Sequence, residues 1–216
     1  GNDTINGNYG DDVLIGGAGN DTLDGGGDND TYVYNLGDGL DTIYDNAGSN
    51  KIVFGEGIAQ NNLSFTQIDN NLLIYLNGDK DQGIIIESFF SSDSCKIGEI
   101  HFADNSVFYL SETGLTLDQS DRNDDITKNG TDYDDTIIGG SGNDTINAGD
   151  DDDVITGGKG NDTLNGGYGR DTYIYNLGDG IDTISETRGN DKIKFGTGIA
   201  LDDLKFTQEG NDLRIT

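Results

Sequence analysis

The sequence predicts an all-β fold: a parallel β-roll, or β-helix, of nonapeptide repeats with small antiparallel β cap modules, the whole tandemly duplicated. Three observations carry this. The nonapeptide GGAGNDTLD at Gly16 recurs nearly unbroken in two blocks, with Asp sixth and an apolar residue eighth in every copy. The chain has 35 Gly and no Pro, which suits tight turns between strands whose N–H groups are all needed for pairing. Finally, residues 1–75 reappear without a gap as residues 142–216, DTYVYNLGDGLDTI at Asp30 matching DTYIYNLGDGIDTI at Asp171.

The first block runs from a truncated GNDTIN at Gly1 through GNYGDDVLI at Gly7 and GGAGNDTLD to GGGDNDTYV at Gly25. The second runs through GTDYDDTII at Gly130, GGSGNDTIN at Gly139, AGDDDDVIT at Ala148, GGKGNDTLN at Gly157 and GGYGRDTYI at Gly166. Each copy offers a short strand such as Thr22-Leu23-Asp24, and its glycine-rich link is too short for a crossover within one parallel sheet. Consecutive strands must therefore lie on opposite sheets, strand i stacking on strand i+2 in a coil of about 18 residues per turn. The eighth position becomes an inward stripe: Ile5, Leu14, Leu23, Tyr32, then Ile137, Ile146, Ile155, Leu164, Tyr173.

After Val33 the register slips by two residues and resumes in weaker form at Leu36 and Asp45, and likewise at Leu177 and Glu186. From Ile58 the period becomes alternating, as in NLLIYL at Asn71 and GIIIESFF at Gly83, with turn signals at Asp69-Asn70-Asn71, Asn77-Gly78 and Asp104-Asn105. These signals divide the chain into a first roll over 1–57, an antiparallel cap over 58–110 packed on the roll's end, a linker over 111–129, a second roll over 130–198 and the start of a second cap over 199–216.

Stacked turns lie about 4.8 Å apart, so sixth-position carboxylates of repeats i and i+2 face one another. At an effective dielectric of about 20 each such pair repels by about 3 kcal/mol. A calcium ion with oxygen ligands at about 2.4 Å fits between them and reverses the sign. The implied pairs are Asp3 with Asp21, Asp12 with Asp30, Asp135 with Asp153, Asp144 with Asp162 and Asp153 with Asp171, with Asp41, Asp182 and Asp191 as further candidates in the weaker repeats. Asn50 stands where the second copy has Asp191, and a neutral amide is the poorer partner for a hard cation, so a fuller site is expected near Asp191. The plain alternative, that these Asp and Asn side chains only form local turns, accounts for one GNDT but not for nine in register.

The pattern resembles the RTX repeat of secreted bacterial proteins, a known calcium-binding β-helix repeat. The Tyr-x-Tyr-Asn-Leu-Gly-Asp-Gly stretch resembles the module beside such repeats in haemolysin-type calcium-binding proteins, where its role is largely structural. The resemblance implies that first- and third-position carbonyls complete the metal shell, here those of Gly7, Tyr9, Gly16, Ala18, Gly25, Gly27, Gly139, Ser141, Ala148, Asp150, Gly157, Lys159, Gly166 and Tyr168. It implies about five or more Ca2+ ions, an extracellular or cell-surface location reached by type I secretion as an unfolded chain, and an effector elsewhere in a parent toxin, adhesin or exoenzyme.

Composition fits a metal-dependent fold. With 41 acidic against 12 basic side chains the net charge is −29, which excludes nucleic acid as a natural partner and makes a fold without counterions marginal. The single cysteine, Cys95, rules out an internal disulfide and reads as a free, buried thiol. No apolar run approaches a membrane span. With no Met and a start in mid-repeat, the chain reads as a piece of a longer protein, further repeat units being its neighbours.

No Gly-x-Ser-x-Gly, His-Glu-x-x-His or Gly-Lys-Ser/Thr motif occurs, so no catalysis is expected in this stretch. His101, the only histidine, reads as structural. Asp121, Asn123 and Asp125 have spacing reminiscent of an EF-hand, but Ile126 stands where that loop needs Gly; Asp124 is alternatively the sixth residue of a degenerate repeat with Ile126 eighth. Seventh-position Thr22, Thr31, Thr145 and Thr163 form an outward ladder, and the third positions share no common residue. A competing function is recognition of a glycan or receptor by the cap, through Phe89, Phe90, Phe108 or Tyr109 if exposed. Another is a non-catalytic module beside a polysaccharide- or lipid-active enzyme.

Overall fold

The computed structural model describes residues 1–91, 97–110, 112–186 and 188–216; Cys95 lies outside them. The first roll contains β1 (Thr4–Asn6), β2 (Val13–Ile15), β3 (Thr22–Asp24), β4 (Thr31–Tyr34), β5 (Leu40–Tyr44) and β6 (Asn50–Phe54). Then come β7 (Leu63–Ile68), β8 (Asn71–Leu76), β9 (Asp79–Ile86), β10 (Ile97–His101) and β11 (Val107–Tyr109). Next are β12 (Thr116–Asp118), β13 (Thr127–Asn129), β14 (Thr136–Ser141), β15 (Thr145–Gly149), β16 (Val154–Lys159) and β17 (Thr163–Gly169). The chain closes with β18 (Thr172–Tyr175), β19 (Thr183–Ser185), β20 (Arg188–Gly189), β21 (Lys192–Phe195), β22 (Phe206–Glu209) and β23 (Asp212–Ile215).

Strands alternate between two parallel sheets, as their short links require. β1 stacks on β3 with Ile5 opposite Leu23, and β2 on β4 with Leu14 opposite Tyr32. The eighth-position side chains from Leu14 to Tyr173 are buried in a single cluster, with Ile5 half-buried at its edge. The slip after Val33 lengthens the coil: Leu23 faces Ile43 and Tyr32 faces Ile52. The two extra residues sit in a turn closed by Asp38, whose Oδ2 accepts the Asn35 N–H at 2.7 Å, and by the Tyr34 hydroxyl, which donates to the Gly39 carbonyl at 2.5 Å. Asp179 and Tyr175 repeat this closure in the second copy, so the Tyr-x-Tyr-Asn-Leu-Gly-Asp-Gly stretch is a device for inserting two residues into a coil.

The alternating segment folds as an antiparallel meander of β7, β8 and β9, and its turns place Asp69 and Asn77 at φ 54° and Asn105 at φ 68°. Asn and Asp tolerate this left-handed region better than other residues with a Cβ. The meander also connects the rolls. β9 pairs in parallel with β5 and β7 with β12, giving one eleven-stranded sheet through both rolls in which only β8 runs the other way. On the other face β10 extends the first roll beside β6, and β11 ends that sheet.

The stretch 111–129, expected as a linker, instead supplies β12 and β13. Leu117 lies between Phe65 and Ile137, and Lys128 faces Ile146. Both occupy stripe positions, while the polar residues that suggested a linker lie on the intervening turns. Lys128 is buried, and its ammonium donates to the Gln67 carbonyl at 3.0 Å; the Gln119 amide donates to the same oxygen at 2.8 Å. Burial pushes the Lys128 ammonium down to about 8. The β22–β23 hairpin, corresponding to β7–β8, is largely exposed.

Candidate metal centres

Two ladders of side chains run along the turns, one at each residue of the Asn-Asp pair. The sixth-position aspartate accepts a backbone N–H from the coil before it: Asp21 Oδ1 from Asp3 N–H at 2.7 Å, Asp30 from Asp12 at 2.8 Å, Asp153 from Asp135 at 2.8 Å, Asp162 from Asp144 at 2.8 Å and Asp171 from Asp153 at 2.9 Å. The five expected pairs are therefore brought together. The same contact continues over the longer coils, from Asp21 to Asp41, Asp162 to Asp182 and Asp171 to Asp191.

The fifth position works in the opposite direction. Asn2 accepts from Asn20 N–H at 3.0 Å, Asp11 from Asn29 at 2.9 Å, Asn143 from Asn161 at 2.9 Å and Asp152 from Arg170 at 2.9 Å. Each coil is held upward by one side chain and downward by the next. This ladder was not foreseen, although its signal is the nearly constant Asn or Asp before each sixth-position Asp. The local-turn reading thus describes neither position, since both bridge stacked coils, and the sixth carries more.

What distinguishes the sixth position is its second oxygen. Asp21, Asp30, Asp144, Asp153, Asp162 and Asp171 are buried, and Oδ2 of each, with that of half-buried Asp12, has no hydrogen-bond partner. Seven orphaned buried carboxylate oxygens are costly, because each has lost its water without replacement. Among the described residues, every one belongs to the repeated motif. A Cβ added at Gly7 would lie 2.7 Å from Asp12 Oδ2 and 2.7 Å from the Gly25 carbonyl. The same convergence of a carboxylate and a carbonyl surrounds Gly130, from Asp135 and Ala148, and Gly139, from Asp144 and Gly157. Gly16, Gly25, Gly157 and Gly166 leave room for the Oδ2 of Asp21, Asp30, Asp162 and Asp171 in the same way. The first-position glycine is thus required by a space in which hard oxygen donors meet, a donor set suited to calcium.

The third-position residues lie further out: Tyr9, Ala18, Asp150, Lys159 and Tyr168 are exposed, Gly27 and Ser141 half-buried. The carbonyls of Ala18 and Lys159 accept N–H bonds from Gly1 and Gly142. Asp3, at the start of the ladder, is exposed.

Burial is the largest influence on these acids. It pushes Asp153 up to about 8, aided by the charges of Asp135 and Asp171 and opposed by the Asp135 N–H bond. It raises Asp41 and Asp182 to about 6, and lifts Asp30, Asp135, Asp144, Asp162 and Asp171 above the ordinary carboxylate range. Without metal, the folded chain therefore holds protons that the unfolded chain, with carboxyls near 3.8, releases. Stability then falls as pH rises from about 4 through 6 to 8, by up to about 1.4 kcal/mol per pH unit for each such group. In chelator, β circular dichroism is expected to recover as pH is lowered from 8 to 5. In calcium the dependence reverses, because protons compete for the ligands. A chelated chain that loses structure on mild acidification would contradict this account.

The other candidates resolve differently. Asp121 pairs with Lys80 at 2.8 Å and Asp125 accepts the Asn143 N–H at 2.7 Å, so the EF-hand-like spacing does not close around one point. Ile126, not Asp124, takes the sixth place, since its N–H donates to Asp144 Oδ1 at 3.1 Å while Lys128 takes the eighth. Leu115 does likewise beneath Asp135. His101 contacts Glu99 at 2.6 Å. Phe89, Phe90 and Phe108 pack against the core, and only Tyr109 is exposed.

Comparison with known proteins gives the same picture. The model for the RTX calcium-binding nonapeptide repeat matches in four copies, over residues 1–32, 35–58, 129–164 and 148–182, together half of the chain. The model for the haemolysin-type calcium binding protein related domain matches residues 71–110. Iron-regulated protein FrpA of Neisseria meningitidis serogroup C is 38% identical over 97 residues, covering 42% of this chain and 9% of that protein's length.

Proposed function

Because this chain belongs to the RTX calcium-binding nonapeptide-repeat family, we propose that it is a calcium-dependent folding and spacer module of a secreted bacterial protein. The observation that carries this is the row of buried sixth-position carboxylates, each with one oxygen satisfied by the neighbouring coil and one with no partner. Bound calcium supplies positive charge to those oxygens. In each repeat the aspartate provides the charge, the first-position carbonyl of the stacked repeat and third-position carbonyls provide further oxygens, and the first-position glycine provides the space. The fifth-position Asn or Asp holds the spacing between coils.

This division of labour leaves no role for catalysis in the roll, and the effector of the parent protein lies elsewhere in its sequence. Folding outside the cell follows from the calcium difference across the envelope. The packing of Phe89, Phe90 and Phe108 against the core favours the structural role over recognition through the cap.

Asp162→Asn tests the assignment. The amide keeps an oxygen for the Asp144 N–H but removes the charge. Calorimetric titration should show loss or at least tenfold weakening at one or two ions, the rest unchanged, because each carboxylate serves adjacent coils only. Unaltered stoichiometry and affinity would remove Asp162 as a ligand.

A further inference from the structure

The duplication places two versions of one turn in the same molecule, and they differ in how their charges are satisfied. In the first copy Asp45 is buried with both oxygens engaged. The Tyr32 hydroxyl donates to Oδ2 at 2.6 Å and the Ala47 N–H to Oδ1 at 3.2 Å. Asn50 completes the arrangement: its Oδ1 accepts the Asp30 N–H at 2.6 Å, and its Nδ2 donates to the Ala47 carbonyl at 2.7 Å. Donors and acceptors alternate around Asp45 and Asn50, while Asp30 Oδ2, like its counterpart Asp171 Oδ2, has no hydrogen-bond partner.

At the corresponding positions the second copy has Glu186 for Asp45 and Asp191 for Asn50. The exchange of Asn50 for Asp191 deletes the amide donor and adds a carboxylate. One oxygen from each of Asp171, Glu186 and Asp191 now lies within 4.8 Å of the others. Asp171 is fully buried and its Oδ2 has no hydrogen-bond partner. Asp191 Oδ1 accepts the Asp171 N–H at 3.1 Å, and the Tyr173 hydroxyl donates to Glu186. Three carboxylates converge with one buried oxygen unsatisfied, and acceptors cannot satisfy one another.

We propose that Asp171, Glu186 and Asp191 form a three-carboxylate site for a hard divalent cation, calcium above all, present in the second copy, whereas in the first copy the place of the third carboxylate is taken by the amide of Asn50, whose oxygen and nitrogen are both hydrogen-bonded. It rests on the calcium-binding reading above and adds the Glu186 side chain, which lies outside the sixth-position ladder. The site joins the coil before the inserted turn, through Asp171, to the coil after it, through Glu186 and Asp191. With three anionic ligands instead of backbone carbonyls, it holds its ion more tightly than the sites of the regular coils.

Native mass spectrometry and calcium titration of the full chain test this with Glu186→Gln and the matching first-copy change Asp45→Asn. Glu186 is exposed, so its amide is compatible with the fold. E186Q is expected to lose one ion, the tightest, while D45N keeps all of them. Terbium provides a second reading: the chain has no Trp, so tyrosine sensitises the ion, and E186Q should lose the luminescence that Tyr173 supplies. The proposal is overturned if E186Q keeps the wild-type ion count and luminescence, or if D45N loses an ion as E186Q does. A wild-type chain that binds several ions with E186Q unchanged rejects this site alone; a wild-type chain that binds none rejects the calcium reading itself.

Discussion

Removing calcium at neutral pH is expected to abolish the β circular dichroism and the cooperative melting of this protein. Two features of the roll carry this expectation. Its interior stripe is one side chain wide, and beside it, among the described residues, run seven buried carboxylate oxygens without a hydrogen bond. For a site with a dissociation constant of about 10 μM, calcium at about 1 mM contributes about 2.7 kcal/mol. Four such sites reach about 11 kcal/mol, comparable with the whole stability of an ordinary domain. At submicromolar calcium the contribution is about zero. The chain should therefore remain open where calcium is scarce and fold where it is plentiful. Circular dichroism and calorimetry in excess chelator, followed by restored calcium, decide the matter. Structure and a melting transition that persist unchanged in chelator would mean that calcium only decorates an already stable roll.

The second large effect is expected at Leu117. This side chain is fully buried and lies between Phe65 of β7 and Ile137 of β14, where the meander passes the eleven-stranded sheet to the second roll. With calcium saturating, the wild-type chain should melt in one transition, because a single core runs through both rolls. Leu117→Asp places an unpaired charge in that core, at a cost of at least about 3 kcal/mol. The rolls retain their own coils and calcium, so calorimetry should resolve two transitions. Leu117→Ala, which loses about 2–5 kcal/mol of packing, should lower the melting temperature with less separation. A single transition within a few degrees of wild type in L117D would show that the two rolls do not communicate through this strand.

The repeat alone determined the local architecture of this protein and the chemistry along its turns. A nine-residue period with an apolar eighth position admits one arrangement, since a three-residue strand and a glycine-rich link must cross to the opposite sheet, and a sixth-position Asp then recurs at every coil. The pairing of Asp135 with Asp153 and the inward stripe through Ile155 follow from that period without any long-range information. Tertiary structure decided what period does not encode. Thr116-Leu117-Asp118 repeats the triplet of Thr22-Leu23-Asp24 but lacks the glycines and aspartate around it, so its place in the sheet depends on β7, some fifty residues earlier. Lys128 occupies a core stripe because the Gln67 carbonyl is there to receive its ammonium, a contact between segments with no common motif. Glu186 comes within reach of Asp171 and Asp191 across a coil lengthened by two residues, a juxtaposition that the nine-residue period does not encode. Local periodicity repeats at every copy and is visible in each; a contact that occurs once, between distant segments, has no second copy in the sequence to reveal it.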